Sequence, residues 1–161
     1  MQKKYWNFMV QIKAWEFYLD VYAESSYKAE RALNMFTAIT SSTCIAAWAI
    51  WNQYNFIWAL LIALSQVITA IKPYFPFSKR LEIIKALTDD VKKLFSEMEY
   101  NWYKVANGEL TEVEINDLLY NFKKRYDTVE SEKINTAVLV ENQLFLEIAD
   151  KKNTSYFENN F

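Results

Sequence analysis

The stretch WAIWNQYNFIW, residues 48–58, sets Asn52-Gln53-Tyr54-Asn55 between Trp48 and Trp51 on one side and Phe56 and Trp58 on the other. Two readings compete. It is a loop between buried helices of a water-soluble protein, or the turn at which a chain that has crossed a membrane goes back.

Outward from it, charge is the first discriminator. Residues 32–71 form 40 consecutive positions without a charged side chain, while the 31 residues before them carry 9 charges and the 89 after Lys72 carry 28. The gap divides at the quoted turn. ALNMFTAITSSTCIAAWAIW, residues 32–51, is a 20-residue uncharged run. As a helix it reaches about 30 Å, the thickness of a bilayer's hydrocarbon core. FIWALLIALSQVITAI, residues 56–71, reaches about 24 Å. It draws on its flank, where Pro73, Tyr74, Phe75, Pro76 and Phe77 give an aromatic continuation in which a proline bend is tolerated.

The flanks fit two crossings. Trp48, Trp51, Tyr54, Phe56 and Trp58 gather at the turn, as an aromatic belt does at a membrane interface. Lys28 and Arg31 precede the first run, Lys72, Lys79 and Arg80 follow the second, and the turn has no positive charge. The positive-inside rule then puts both termini in the cytoplasm and the turn outside. A late, doubled apolar run without a small-residue cleavage pattern is not expected to be a signal peptide. The soluble alternative requires the remaining chain to cover two helices apolar on every side, and its helices offer only single stripes. The expected fold is therefore all-α. A cytoplasmic amphipathic helix (1–31) leads into a transmembrane hairpin (32–77, spans about 32–51 and 56–72). A cytoplasmic helical region (78–152) and a polar tail (153–161) follow.

Composition removes most chemistry. There is no histidine, one glycine (Gly108) and one cysteine (Cys44). His-based acid–base catalysis, His-type zinc sites, Cys–His nucleophiles and glycine-rich phosphate loops are excluded. A lone cysteine forms no internal disulfide and reads as an apolar filler. No enzyme activity, cofactor or metal is expected.

The polar segments read as helices. Tyr5, Met9, Ile12, Trp15, Leu19 and Tyr22 recur every three or four residues. After a candidate N-cap at Ser78 come Leu81, Ile84, Leu87, Val91, Leu94, Met98, Trp102 and Val105, whose near-heptad spacing suggests long helices packed on each other. Asn107-Gly108 ends this helix. Thr111-Glu112-Val113-Glu114 is a capping box opening the next, which carries Ile115, Leu118, Leu119, Phe122, Tyr126 and Val129. A last helix is expected from near Thr136, with Val140, Leu144 and Ile148; the tail KKNTSYFENNF is expected to be loosely held, its aromatics free to dock on a partner.

Within the runs, Asn34, Thr37, Ser41 and Cys44 make one polar-to-small stripe, and Ala59, Ala63, Gln66 and Ala70 another, with Ser65 and Thr69 beside it. Small residues let transmembrane helices approach closely, and an amide in hydrocarbon needs a partner. These positions either pack helix on helix or, for Asn34, Thr37, Ser41, Gln66 and Thr69, line a water-filled pore shared by several copies. Lacking an ionisable group, such a pore is weakly selective. Lys79 and Arg80, with Arg31 and Lys72, are placed as interface anchors together with Trp48, Trp51 and Trp58. Lys123-Lys124-Arg125 is either a solvated helix face or a site for an anionic ligand such as a nucleotide. The acidic pairs Asp89-Asp90 and Glu97/Glu99 read as helix surface.

The order of these parts resembles the SLATT group of bacterial two-transmembrane effector domains. The resemblance rests on AERALNMFTAITSST, on WAIWNQYNFIWALLIALSQVITAIKPYFPFSKR and on the Glu/Lys-rich helices to about residue 130; residues beyond about 134 look like an individual extension. It implies an inner-membrane effector of anti-phage defence that oligomerises into a gated pore. Control comes from a cyclic or linear oligonucleotide made by a partner nucleotidyltransferase. With no fused sensor domain recognisable, the signal is expected to act on the chain's own helices or through a partner. Expected partners are membrane lipids and further copies of the chain, not duplex nucleic acid. The alternative is a membrane anchor or scaffold whose cytoplasmic helices dock a soluble partner.

Overall fold

A computed structural model describes the backbone of residues 1–50, 55–74, 77–137, 139 and 141–161. It describes their side chains apart from those of 41–50, 55, 73, 77–78 and 132–137. The described residues form five α-helices, α1 (Gln2–Ile50), α2 (Asn55–Ile71), α3 (Phe77–Ala106), α4 (Glu112–Ala137) and α5 (Gln143–Asn160), with a 3₁₀ turn at Lys72–Tyr74 after α2. No strand occurs among them, so the chain is all-α as its periodicity requires. Residues 52–54 of the expected turn lie outside the described residues.

The chain divides into two compact units, residues 1–24 with 82–161, and residues 25–81. The first is a four-helix bundle. The α3 stripe is its spine: Leu81 aside, Ile84, Leu87, Val91, Leu94, Met98 and Val105 are all buried there. The start of α1 runs antiparallel to α3, with Gln2 Nε2 donating to the Val105 carbonyl at 2.7 Å, the Tyr5 hydroxyl to the Met98 carbonyl at 2.9 Å, and Lys92 Nζ to Asp20 Oδ1 at 3.0 Å. Helix α4 lies parallel to α1, pairing Tyr5 with Phe122 and Phe8 with Tyr126. Helix α5 returns antiparallel, pairing Tyr22 with Phe145 and Trp6 with Phe157. Such interlocking aromatics each remove a large apolar area from water and add edge-to-face attraction.

Local signals explain the helix ends. Gly108 takes φ 72°, a left-handed conformation that costs glycine nothing. Its N–H bonds to the Val105 carbonyl at 3.3 Å and that of Glu109 to the Lys104 carbonyl at 3.0 Å, a Schellman stop for α3. The capping box forms reciprocally: Thr111 N–H donates to Glu114 Oε2 at 2.8 Å and Glu114 N–H to Thr111 Oγ1 at 3.3 Å. The Thr111 backbone and hydroxyl bonds hold the Glu114 carboxyl below its ordinary value.

Three expectations change. Helix α3 begins at Phe77, so Ser78 lies in its first turn rather than capping it. Helix α4 continues to Ala137, and the last helix starts at Gln143, capped by Asn142, whose side chain accepts from the Leu144 and Phe145 amides, rather than near Thr136. The tail expected to be loose is the second half of α5. Leu146, Ala149, Asn153 and Phe157 recur at helical spacing on its inner side, and Asn153 and Ala149 are buried.

In the second unit the order of burial is reversed. Between residues 32 and 71 the buried described side chains are Thr40 and Ser65, both hydroxylic. The exposed ones include Met35, Ile39, Phe56, Ile57, Leu60, Leu64 and Val67, with Phe56 80% exposed. Lys72 Nζ donates to Asn34 Oδ1 at 2.5 Å, so the chain returns on itself between those residues. Among the described residues no helix is long and apolar enough to cross a membrane. Helix α2 has 17 residues, about 25 Å of rise.

Candidate functional site

The groups singled out as pore-lining fall in the second unit. Asn34 is exposed and holds Lys72, so this candidate meets one of the candidate anchors. Thr37 donates to the Leu33 carbonyl at 2.8 Å and Thr69 to that of Ser65 at 2.8 Å. The buried hydroxyls behave alike, Thr40 donating to the Phe36 carbonyl at 2.9 Å and Ser65 to that of Ile62 at 2.9 Å. A hydroxyl that bonds back to its own helix carries its polarity at no desolvation cost, which suits an apolar surrounding. Gln66 differs: its amide is exposed on α2 and makes no hydrogen bond to the described residues. Ala59, Ala63 and Ala70 are exposed with it, so the small stripe of α2 faces away from the rest of its unit. No hydrogen bond among the described residues joins Thr37 to Gln66 or Thr69. The Ser41 side chain lies outside the described residues.

Among the candidate anchors, Arg31, Lys72 and Lys79 are exposed and Arg80 and Trp58 half-buried. The side chains of Trp48 and Trp51 lie outside the described residues.

The basic triplet is split in three directions. Arg125 makes a two-pronged pair with Glu97, Nη1 to Oε2 at 2.5 Å and Nη2 to Oε1 at 2.9 Å. The guanidinium holds the Glu97 carboxyl below its ordinary range and is itself pushed up. Lys123 Nζ sits 5.5 Å from the centre of the Phe8 ring, and Lys124 is exposed. Three cations with three separate surroundings do not converge on one anion.

A cluster in the bundle escaped the sequence reading. Lys13 and Glu16, one turn apart on α1, are both buried, with Nζ 3.0 and 3.1 Å from the two carboxylate oxygens. The ammonium also lies 4.4 Å from the ring centres of Phe95 and Tyr156 and 4.9 Å from that of Phe17. Cation–π attraction strengthens when water is excluded, so these rings offset part of the cost of burying the charge. Burial raises the Glu16 carboxyl despite Lys13. The Tyr156 hydroxyl donates to Glu99 Oε1 at 2.6 Å, and burial together with that carboxylate pushes it well above the ordinary phenol value. The signal lay in the register: Lys13 and Glu16 interrupt the α1 stripe between Ile12 and Leu19, where burying a charge is costly unless it is paired.

Among the described residues no group of three or more acidic or thiol side chains is placed to hold a metal ion. No family model, curated protein or solved structure matches this chain.

Proposed function

We propose that the chain is a membrane effector. Residues 32–71 insert as a two-helix hairpin with an outside turn, and several copies assemble a gated pore whose opening is controlled from a cytoplasmic four-helix bundle. The observation that carries this reading is the reversed burial of the second unit. Large apolar side chains on the outside and hydroxyls inside are unfavourable in water by about 25 cal/mol for each Å² of apolar surface, and favourable in lipid. Large exposed apolar surfaces of this kind mark interaction or membrane sites. The shortness of α2 is met by thinning the bilayer, by snorkelling of its flanking residues or by oligomerising, each at modest cost. An unpaired Gln66 amide in that apolar surface supports assembly, because an amide in hydrocarbon gains most by meeting a polar neighbour or water. The resemblance to the SLATT effectors gives the role: growth arrest of an infected cell at its inner membrane, with an oligonucleotide from a partner nucleotidyltransferase as the signal.

The test is conductance of purified protein in liposomes, with and without the signal. Current that changes when Gln66 is replaced by leucine supports the pore; no current under any condition rejects it. A second reading, a membrane anchor whose bundle docks a soluble partner, is favoured by one observation: Thr37, Thr40, Ser65 and Thr69 all spend their hydroxyls on their own helices. An anchor tolerates Gln66→Leu without loss of function.

A further inference from the structure

Helix α5 is held to the bundle differently from the other three. Among the described residues α1, α3 and α4 each bury large apolar side chains, including Met9 and Leu19, Ile84 and Met98, and Ile115 and Phe122. The buried positions of α5 are Ala149 and Asn153. Its larger inward residues Leu146, Tyr156 and Phe157 are half-exposed, and a groove of about 200 Å³ runs between α5 and its neighbours α1 and α4. Apolar burial is the main attraction between helices in water, so α5 has the weakest apolar hold of the four.

Docking also leaves polar groups under α5 short of partners. Asn153 is buried, yet its Oδ1 has no donor among the described residues and its Nδ2 reaches the Val10 carbonyl at a long 3.4 Å. A buried acceptor left unbonded costs its full desolvation, which water restores on exposure. Three residues on, the Tyr156 ring lies 4.4 Å from the Lys13 ammonium and covers, from the α5 side, its buried pair with Glu16. Buried pairs regain hydration when uncovered, and desolvation outweighs Lys13 in raising the Glu16 carboxyl. Against this stand the bond from the Tyr156 hydroxyl to Glu99 on α3 at 2.6 Å and the contacts of Phe157 with Trp6 and Phe95. Helix α5 has 18 residues, with Asn153, Thr154 and Ser155 in its second half. A short helix draws most of its stability from packing, and these three are weak helix formers, so leaving the bundle also unwinds α5.

We propose that α5 is a releasable strap: it undocks and unwinds as one unit while α1, α3 and α4 stay packed. Its release uncovers the Lys13–Glu16 pair and the rings of Trp6, Phe17 and Phe95, which Tyr156 and Phe157 cover when it is docked. The inference does not depend on the membrane reading, since all of these residues belong to the compact unit of the bundle.

Amide hydrogen exchange of the full chain in detergent micelles, read residue by residue by NMR, tests it. The amides from Leu146 to Phe157 are expected to share one protection factor, about thirtyfold or more below that of Val91 to Met98 in α3. Asn153→Leu removes the orphaned carbonyl, and Lys13→Met combined with Glu16→Leu replaces the buried ion pair. Each is expected to narrow the gap about fivefold or more by slowing exchange in α5. Should one variant fail to fold, the other and the unmodified chain decide. Protection that falls steadily toward Phe161, as in fraying of a helix end, overturns the proposal. So does an α5 that exchanges as slowly as α3, or a gap that neither variant narrows.

Discussion

The ammonium of Lys72 donates to the side-chain carbonyl of Asn34 across 2.5 Å, joining residues 38 apart in the chain. Between them lie residues 35–71, none of them charged. The contact ties α1 to the end of α2 at the point where charge reappears.

Cysteines at these two positions, in a Cys44→Ala background, are therefore expected to be bridged within one chain by a short bis-maleimide. Mass spectrometry of the cross-linked monomer band checks it. Bridges found only between chains contradict the hairpin closure.

Lys13→Met should destabilise the bundle by about 3 kcal/mol, because it strands the Glu16 carboxylate without its cation. Thermal unfolding in detergent measures it. The pH dependence has a definite sign. The Glu16 pKa is raised in the folded state, so its contribution is fully present below the ordinary glutamate value of 4.5 and is lost as pH rises through the raised one. The deficit of Lys13→Met should therefore shrink on acidification from neutral pH, as Glu16 takes up a proton. The double substitution Lys13→Met with Glu16→Leu should recover most of the loss, since an apolar pair replaces a buried ionic one at little cost. A deficit that stays constant with pH contradicts this account.

Phe157→Ala is expected to cost about 2 kcal/mol, somewhat below the range for fully buried phenylalanines because the ring is half-exposed. Its partners are Trp6 at 5.1 Å, Phe95 at 6.5 Å and Phe161 at 5.5 Å between ring centres. The melting midpoint of the variant in detergent checks it. An unchanged midpoint means that the end of α5 is not part of the bundle.

Much of the bundle was legible because its signals are local or strictly periodic. The α3 stripe from Ile84 to Val105, the Gly108 stop and the Thr111–Glu114 box each depend on a few residues at fixed spacing. The end of α5 was hidden by its composition. Asn153 occupies an inner position of the stripe, donating to the Val10 carbonyl at 3.4 Å, so the apolar period breaks just where the helix packs. The Lys13 cluster was hidden for a related reason: whether a charge on a helix face meets water or three aromatic rings depends on α3 and α5, which lie far away in the chain. For the basic triplet, Glu97 decides the outcome, pairing with Arg125 from 28 residues away. Of the candidate pore residues, sequence could name the hydroxyls and Gln66 but not their difference. Back-bonding of Thr37 and Thr69 to their helices is set by rotamer, while the exposed Gln66 amide makes no hydrogen bond to the described residues.

The central claim is that residues 32–71 lie in a bilayer, and alkaline carbonate extraction of membranes from expressing cells tests it most directly. The account predicts that the intact chain stays in the membrane pellet; release into the carbonate supernatant contradicts it.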